Sequence, residues 1–203
     1  MAHIAIGYKS STAEANQSPM NILVFGKDGQ LGKAFHIALD ACNLGLADQL
    51  NIQYLGRAQC DLSCEQAIAN VLNQFKPDLI INASAYTAVD KAETEVDLAF
   101  AVNARAPELM AQYAAQQGAT FLHYSTDYVF DGEKYGFYLE NDMRNPLGVY
   151  GKSKAGGEEA IAKAFAKLAN QLSSVGGQYA ILRTSWVYGD GGNFIRTILR
   201  LAK

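Results

Sequence analysis

At 203 residues, with 49% hydrophobic and 18% charged side chains, the chain is long enough to bury one substantial core and too apolar to stay extended. Its formal net charge of −3 supplies no broad positive field, which argues against nucleic acid or an anionic membrane as partner and leaves small-molecule chemistry as the default. Cys42, Cys60 and Cys64 form an odd set with no histidine beside them, so neither a disulfide framework nor a metal site is expected, and a reducing cytoplasm fits.

Residues 1–19 contain neither a basic start followed by an apolar core nor a run able to cross a bilayer. Met20 comes just before the apolar run that ends at Phe25, so the domain is expected to span 20–203, preceded by a flexible extension at 1–19. From there, short apolar runs at 21–25, 52–55, 78–83, 120–125 and 179–184 read as strands. Between them, segments rich in Ala, Leu, Glu, Lys and Gln at 31–41, 64–75, 92–117 and 147–171 read as helices, and 173–178 reads as a loop. The alternation predicts an α/β fold, a doubly wound parallel sheet of Rossmann-like type. Its winding is expected to reverse between the third and fourth strands, with ligands at the strand C-termini.

The first strand runs into Gly26-Lys27-Asp28-Gly29-Gln30-Leu31-Gly32, a G-x-x-G-x-x-G run opening a helix. Glycines there allow a tight turn and close approach of backbone N–H groups to a pyrophosphate, which the positive end of the helix also favours. After the second strand, where a site preferring NAD often carries an acidic residue against the ribose hydroxyls, stands Arg57. A guanidinium pairs well with a ribose 2′-phosphate, so Arg57 points toward NADPH, unless it is simply an exposed arginine. Asp61 either faces the adenine or, with Ser63, starts the next helix.

Tyr150 and Lys154, in YGKSK, are four residues apart and share one helix face. An ammonium beside a phenol favours phenolate, so Lys154 is expected to lower the Tyr150 pKa and make its hydroxyl a better general acid. The same spacing alone also describes an amphipathic helix with a solvated lysine. In Tyr124-Ser125-Thr126-Asp127-Tyr128, at the end of the fourth strand, the Thr126 hydroxyl either orients a substrate carbonyl or caps the following loop. Asn82-Ala83-Ser84-Ala85-Tyr86-Thr87 closes the third strand with small residues that admit a cofactor near the backbone or serve helix packing. Trp186, the one tryptophan, follows the fifth strand as core or as a stacking platform.

Taken in order, GKDGQLG, NASAYTAVDKAE, YSTDYVFDG, YGKSK and RTSWVYG resemble the extended short-chain dehydrogenase/reductase superfamily and, within it, the dTDP-4-dehydrorhamnose reductase family, from Met20 to the last residue. The resemblance implies that Gly26, Gly29, Gln30 and Leu31 contact the cofactor pyrophosphate. It puts Asp61 and Leu62 at the adenine end and Ala83, Ser84, Ala85 and Thr87 on the nicotinamide side. Thr126, Tyr150 and Lys154 match the catalytic trio, with Tyr150 and Lys154 also touching the cofactor, and Asp127, Tyr128 and Trp186 would line the sugar pocket. The implied reaction moves a hydride from NADPH or NADH to the C4 keto carbon of dTDP-4-dehydro-L-rhamnose, giving dTDP-L-rhamnose. Related dehydratases usually carry Thr-Asp-Glu where this chain has Thr126-Asp127-Tyr128, which favours ketone reduction over dehydration. A sugar-nucleotide epimerase and a noncatalytic NADP-binding regulatory subunit are the rival readings. Family members continue well beyond a segment like that around Asn193, so the substrate region is expected to be incomplete. Ala34 stands where some members carry a glutamate tied to a metal-bridged dimer, so no magnesium site is expected, while a homodimer stays open.

Overall fold

A computed structural model of the chain describes residues 18–45, 49–169, 176–188 and 198. The expected extension therefore lies outside the described residues except at 18 and 19, as does the 173–175 part of the expected loop, whose last residue, Gln178, opens a strand. Apolar runs become β1 (Met20–Phe25), β2 (Leu50–Leu55), β3 (Leu79–Asn82), β4 (Thr120–Thr126) and β5 (Gln178–Thr184), all parallel in one sheet ordered β2-β1-β3-β4-β5. Side chains alternate across a strand, and the central strands are covered on both faces, which is why they read as unbroken apolar runs. Leu23, Phe25, Ile80 and Phe121 face one layer, formed by α2 (Glu65–Phe75), α5 (Ala106–Gln117) and α6 (Val149–Ala169). Ile22, Val24 and Ile81 face Phe35 and Leu39 of α1 (Gln30–Gly45) on the other.

Two expectations need correction. The winding reverses between β1 and β3, because β2 lies on one side of β1 and all later strands on the other. The crossover through α2 carries the chain past β1, and α2 then packs with α5 against Leu23 and Ile80, so β3 pairs with β1. The binding crevice of such a sheet lies outside the strand C-termini at that reversal.

The single helix expected over 92–117 is broken into α3 (Val89–Ala92), α4 (Val96–Phe100), a π-helical turn (Ala101–Arg105) and α5. The first break closes on Lys91, whose carbonyl accepts from both the backbone N–H and the hydroxyl of Thr94. At the second, Pro107 sits in the first turn of α5 and has no N–H to return to the Asn103 carbonyl, so the regular ladder cannot run through. α5 then stops at Gly118, which takes φ 74 and donates its N–H to Ala114 O.

Candidate active site

β1 ends in a turn that only glycine fits. Gly26 takes φ 93, and a Cβ at Gly32 would lie 2.0 Å from the Gly26 oxygen, so α1 starts pressed against the preceding chain. The backbone N–H groups of Gly26 and Lys27 both donate to Leu55 O, tying the turn to the end of β2, while Ala83 N–H donates to Phe25 O and ties it to β3. Gly29, Gln30 and Leu31, where α1 begins, line a cleft of about 660 Å³, so the positive end of the helix borders it.

The residues expected to touch cofactor or substrate all border this one cleft. Gly26, Gly29, Gln30 and Leu31 form one wall, and Arg57, Asp61 and Leu62 its β2 end. Ala83, Ser84, Ala85 and Thr87 form the floor after β3, and Thr126, Asp127, Tyr128, Tyr150, Lys154 and Trp186 the far wall. Glycines and small side chains beside a cleft bordered by a helix N-terminus fit a dinucleotide. At the β2 end the charges come in pairs: Lys27 Nζ lies 2.8 Å from Asp28, and Arg57 Nε 3.7 Å from Asp61. Asp61 also accepts from the Ser63 N–H and hydroxyl, at 2.9 and 2.8 Å, and the Ser63 N–H is the main cause of its lowered carboxyl pKa. Asp61 thus holds the turn before α2 rather than capping the helix, whose N-cap is Cys64 with no side-chain cap hydrogen bond, and its second carboxylate oxygen is turned toward Arg57.

Thr126 likewise caps its own loop: its oxygen accepts from Tyr128 N–H at 3.2 Å at the start of a single 3-10 turn (Asp127–Val129), and its hydroxyl donates to Asp127 Oδ1 at 3.1 Å. Tyr150 is buried beside it, edge-on to the Tyr128 ring with centroids 5.5 Å apart. Its pKa does not fall as expected. Burial holds the phenol above 10.0, the Thr126 hydroxyl works the other way, and Asp127 and Tyr128 add to the rise. Lys154 contributes nothing resolved to it, because its amine turns into the protein. There it donates to Tyr124 O at 2.6 Å and meets His123 Nε2 at 3.2 Å. Burial lowers its pKa to about 8, against the opposing pull of Glu158.

Further supporting residues escape the sequence reading. Asn103, carried inward by the π-helical turn, donates to Tyr86 O and to Ser153 Oγ at 3.0 Å each and accepts from Tyr86 N–H at 2.8 Å. Ser153 in turn donates to Tyr150 O, so α6 is fastened to the loop after β3. Gly157 lets α6 meet the π-helical turn: a Cβ there would lie 2.2 Å from the Asn103 backbone oxygen. Buried Glu158 is held by Arg183, at 2.9 and 2.7 Å, and by Arg144 at 3.1 Å. His123 would have been visible as the middle member of Phe121, His123 and Ser125, the inward phase of β4.

The family model described as RmlD substrate binding domain matches residues 20–203. The dTDP-4-dehydrorhamnose reductase of Escherichia coli (strain K12) is 44% identical over 186 residues, which is 91% of this chain and 57% of that protein. Among solved structures, the dTDP-4-dehydrorhamnose reductase of Clostridium acetobutylicum superposes with TM-score 0.77 at 37% identity, over 90% of this chain and 59% of that one. That of Bacillus anthracis, in complex with NADP, gives 0.75 at 32%, with the same coverage of 90% and 59%. The chain thus spans somewhat over half the length of these relatives. Since the match runs from the first residue of β1 through every later element of the sheet, the chain belongs to the RmlD substrate binding domain family.

Proposed function

We propose that this chain carries the cofactor site and the proton-transfer residues of an NAD(P)H-dependent reductase acting on the C4 keto group of dTDP-4-dehydro-L-rhamnose, yielding dTDP-L-rhamnose. The observation that carries the reading is the meeting of Thr126, Tyr150 and Lys154, drawn from β4 and α6, on the wall facing the glycine turn. The names of the relatives and the NADP complex of one of them supply the substrate class and the cofactor.

The bound nicotinamide would supply a hydride to the carbonyl carbon. Thr126 would turn its hydroxyl from Asp127 to the carbonyl oxygen, orienting it and polarising it. Tyr150 would give its proton to the oxygen as negative charge develops there. A phenol kept protonated by burial is in the right state for that step across neutral pH. Lys154 would hold the cofactor ribose, and Asp127, Tyr128 and Trp186 would meet the sugar. Residues 20–203 would form the cofactor domain with an incomplete sugar-nucleotide site, preceded by an extension at 1–19 and working in the cytoplasm, either alone or as a homodimer.

Tyr150→Phe should lower ketone reduction by at least roughly a hundredfold while leaving NADPH affinity within a factor of two of wild type. Reduction is followed by NADPH absorbance and affinity by titration. Retained turnover would remove Tyr150 from the mechanism. Sugar-nucleotide interconversion without net NADPH consumption would replace the reductase by an epimerase, and NADPH binding with no chemistry on any keto sugar nucleotide would favour the regulatory subunit.

A further inference from the structure

Lys154, His123, Asn82 and the backbone of Ser84 form one buried chain of hydrogen bonds, and the chemistry of each atom restricts the next. The Ser84 N–H can only donate, so the Asn82 atom 3.1 Å from it is the carbonyl oxygen Oδ1. The Asn82 amide nitrogen, which can only donate, therefore faces His123 Nδ1 at 3.2 Å. His123 is fully buried, and that burial, followed by the nearness of Lys154, holds its pKa well below 6.5, so the ring is neutral. A neutral ring that accepts at Nδ1 carries its proton on Nε2, which points at Lys154 Nζ from 3.2 Å. An ammonium offers three donors and no lone pair. The contact is satisfied only when Lys154 is an amine.

From this chain we propose that His123 is a positioning residue whose tautomer, locked through Asn82 by the Ser84 amide, decides whether Lys154 stands as amine or ammonium. For Lys154 to take a proton from solvent, the ring proton must leave Nε2 for Nδ1 so that Nε2 can accept. Asn82 must then turn its amide and release Ser84. One proton is gained in total, on Nζ. The inference deepens the reductase reading and rests on it for its consequence: Ser84 and Lys154 both border the cofactor cleft, so a ligand that draws the Ser84 N–H to itself unlocks Asn82 and lets the lysine charge as the site fills.

Other groups around the lysine set the range. His123 and the Tyr124 carbonyl face it from β4, and Glu158 and Tyr150 share its α6. Arg183 of β5 and Arg144 of the loop before α6 face Glu158 rather than the amine. Burial first, against Glu158, puts Lys154 at about 8, where both forms are accessible to experiment.

The test is NMR of the chain with 15N-labelled histidine and 13C-labelled lysine. The sequence holds only His3, His36 and His123, and H123Q assigns the last by its disappearance. At pH values above the Lys154 midpoint, His123 should be the neutral Nε2–H tautomer. As the pH falls it should change to the neutral Nδ1–H tautomer with the same midpoint as the Lys154 Cε signal, and saturating NADPH should move both midpoints upward together. In H123Q, whose amide can donate or accept, the Lys154 midpoint should rise by roughly one pH unit. If that variant does not fold, K154M serves in its place, and its ring should stay Nε2–H throughout. A ring that keeps one tautomer while Lys154 titrates, or becomes doubly protonated, overturns the proposal, as does a changing ring in K154M. None of these spectra needs turnover. Coupled midpoints with no reductase activity would sink the reductase reading alone, and activity without coupled midpoints would sink this inference alone.

Discussion

Burial takes the Lys154 pKa from 10.5 to about 8, and a drop of that size corresponds to roughly 3 kcal/mol against the folded state while the lysine is charged. The unfolded lysine keeps its proton up to 10.5 and the folded one loses it near 8, so the cost is full below about 8, shrinks as the pH rises toward 10.5, and is gone above it. K154M should therefore resist urea better than wild type at pH 7, with the advantage closing as the pH climbs through that window. An advantage independent of pH would assign the gain to packing. At the other end of the cleft, Arg57→Ala should cost roughly tenfold more in kcat/KM with NADPH than with NADH, the scale of one charged hydrogen bond. Equal losses would reduce Arg57 to the exposed partner of Asp61. Single residues were legible in the sequence where chemistry and spacing are local. Tyr150 and Lys154 are one helical turn apart, whereas Asn103 and Ser153 are 50 residues apart and meet only after folding.

One glycine, Gly157, governs how α6 assembles against the π-helical turn. Gly157→Ala would drive a methyl group into the Asn103 carbonyl, so α6 must move off the π-helical turn. The expected loss is about 2 kcal/mol of stability by thermal denaturation, with turnover falling further than stability explains. A fully active, undestabilised variant would show that α6 has slack there. The loop between the 3-10 turn and α6 is gathered on Asp131, which accepts from Glu133 N–H, Tyr138 and Asn145. The Glu133 N–H is the largest of the causes that lower its pKa from 3.8 to about 2. A depressed carboxyl stabilises above its unfolded value, so this contribution is present above 3.8 and is lost as the pH falls toward 2. Hydrogen exchange of the loop amides should accelerate across that interval in wild type and already be fast at pH 5 in Asp131→Ala. The strands were legible to within a few residues at each end, since apolar runs bounded by turn residues leave little choice. The break of 92–117 was not: Pro107 is tolerated in a first helical turn, and only the packed α6 shows that a new turn begins there.

Across the whole molecule, the cleft is lined by the C-terminal residues of β1, β2, β4 and β5 and by the segment that follows β3, and NADPH binding should stabilise the fold as one unit. At a hundredfold excess over Kd, the gain should be about 2.7 kcal/mol of unfolding free energy. No gain would mean that the cleft does not hold the dinucleotide. Large apolar side chains are exposed in the loop before α6, at Tyr135, Phe137, Met143 and Leu147, and after β5 at Trp186, which borders the cleft.

Apolar periodicity, the glycine turn and the helical spacing of Tyr150 and Lys154 were determined by the sequence alone, because each is a property of neighbours along the chain and follows from backbone geometry. The side of β1 on which β3 pairs, the inward turn of Asn103 and the burial that reverses the expected shift at Tyr150 were decided only in three dimensions. Those depend on which distant surfaces exclude water from one another, and no local pattern records that.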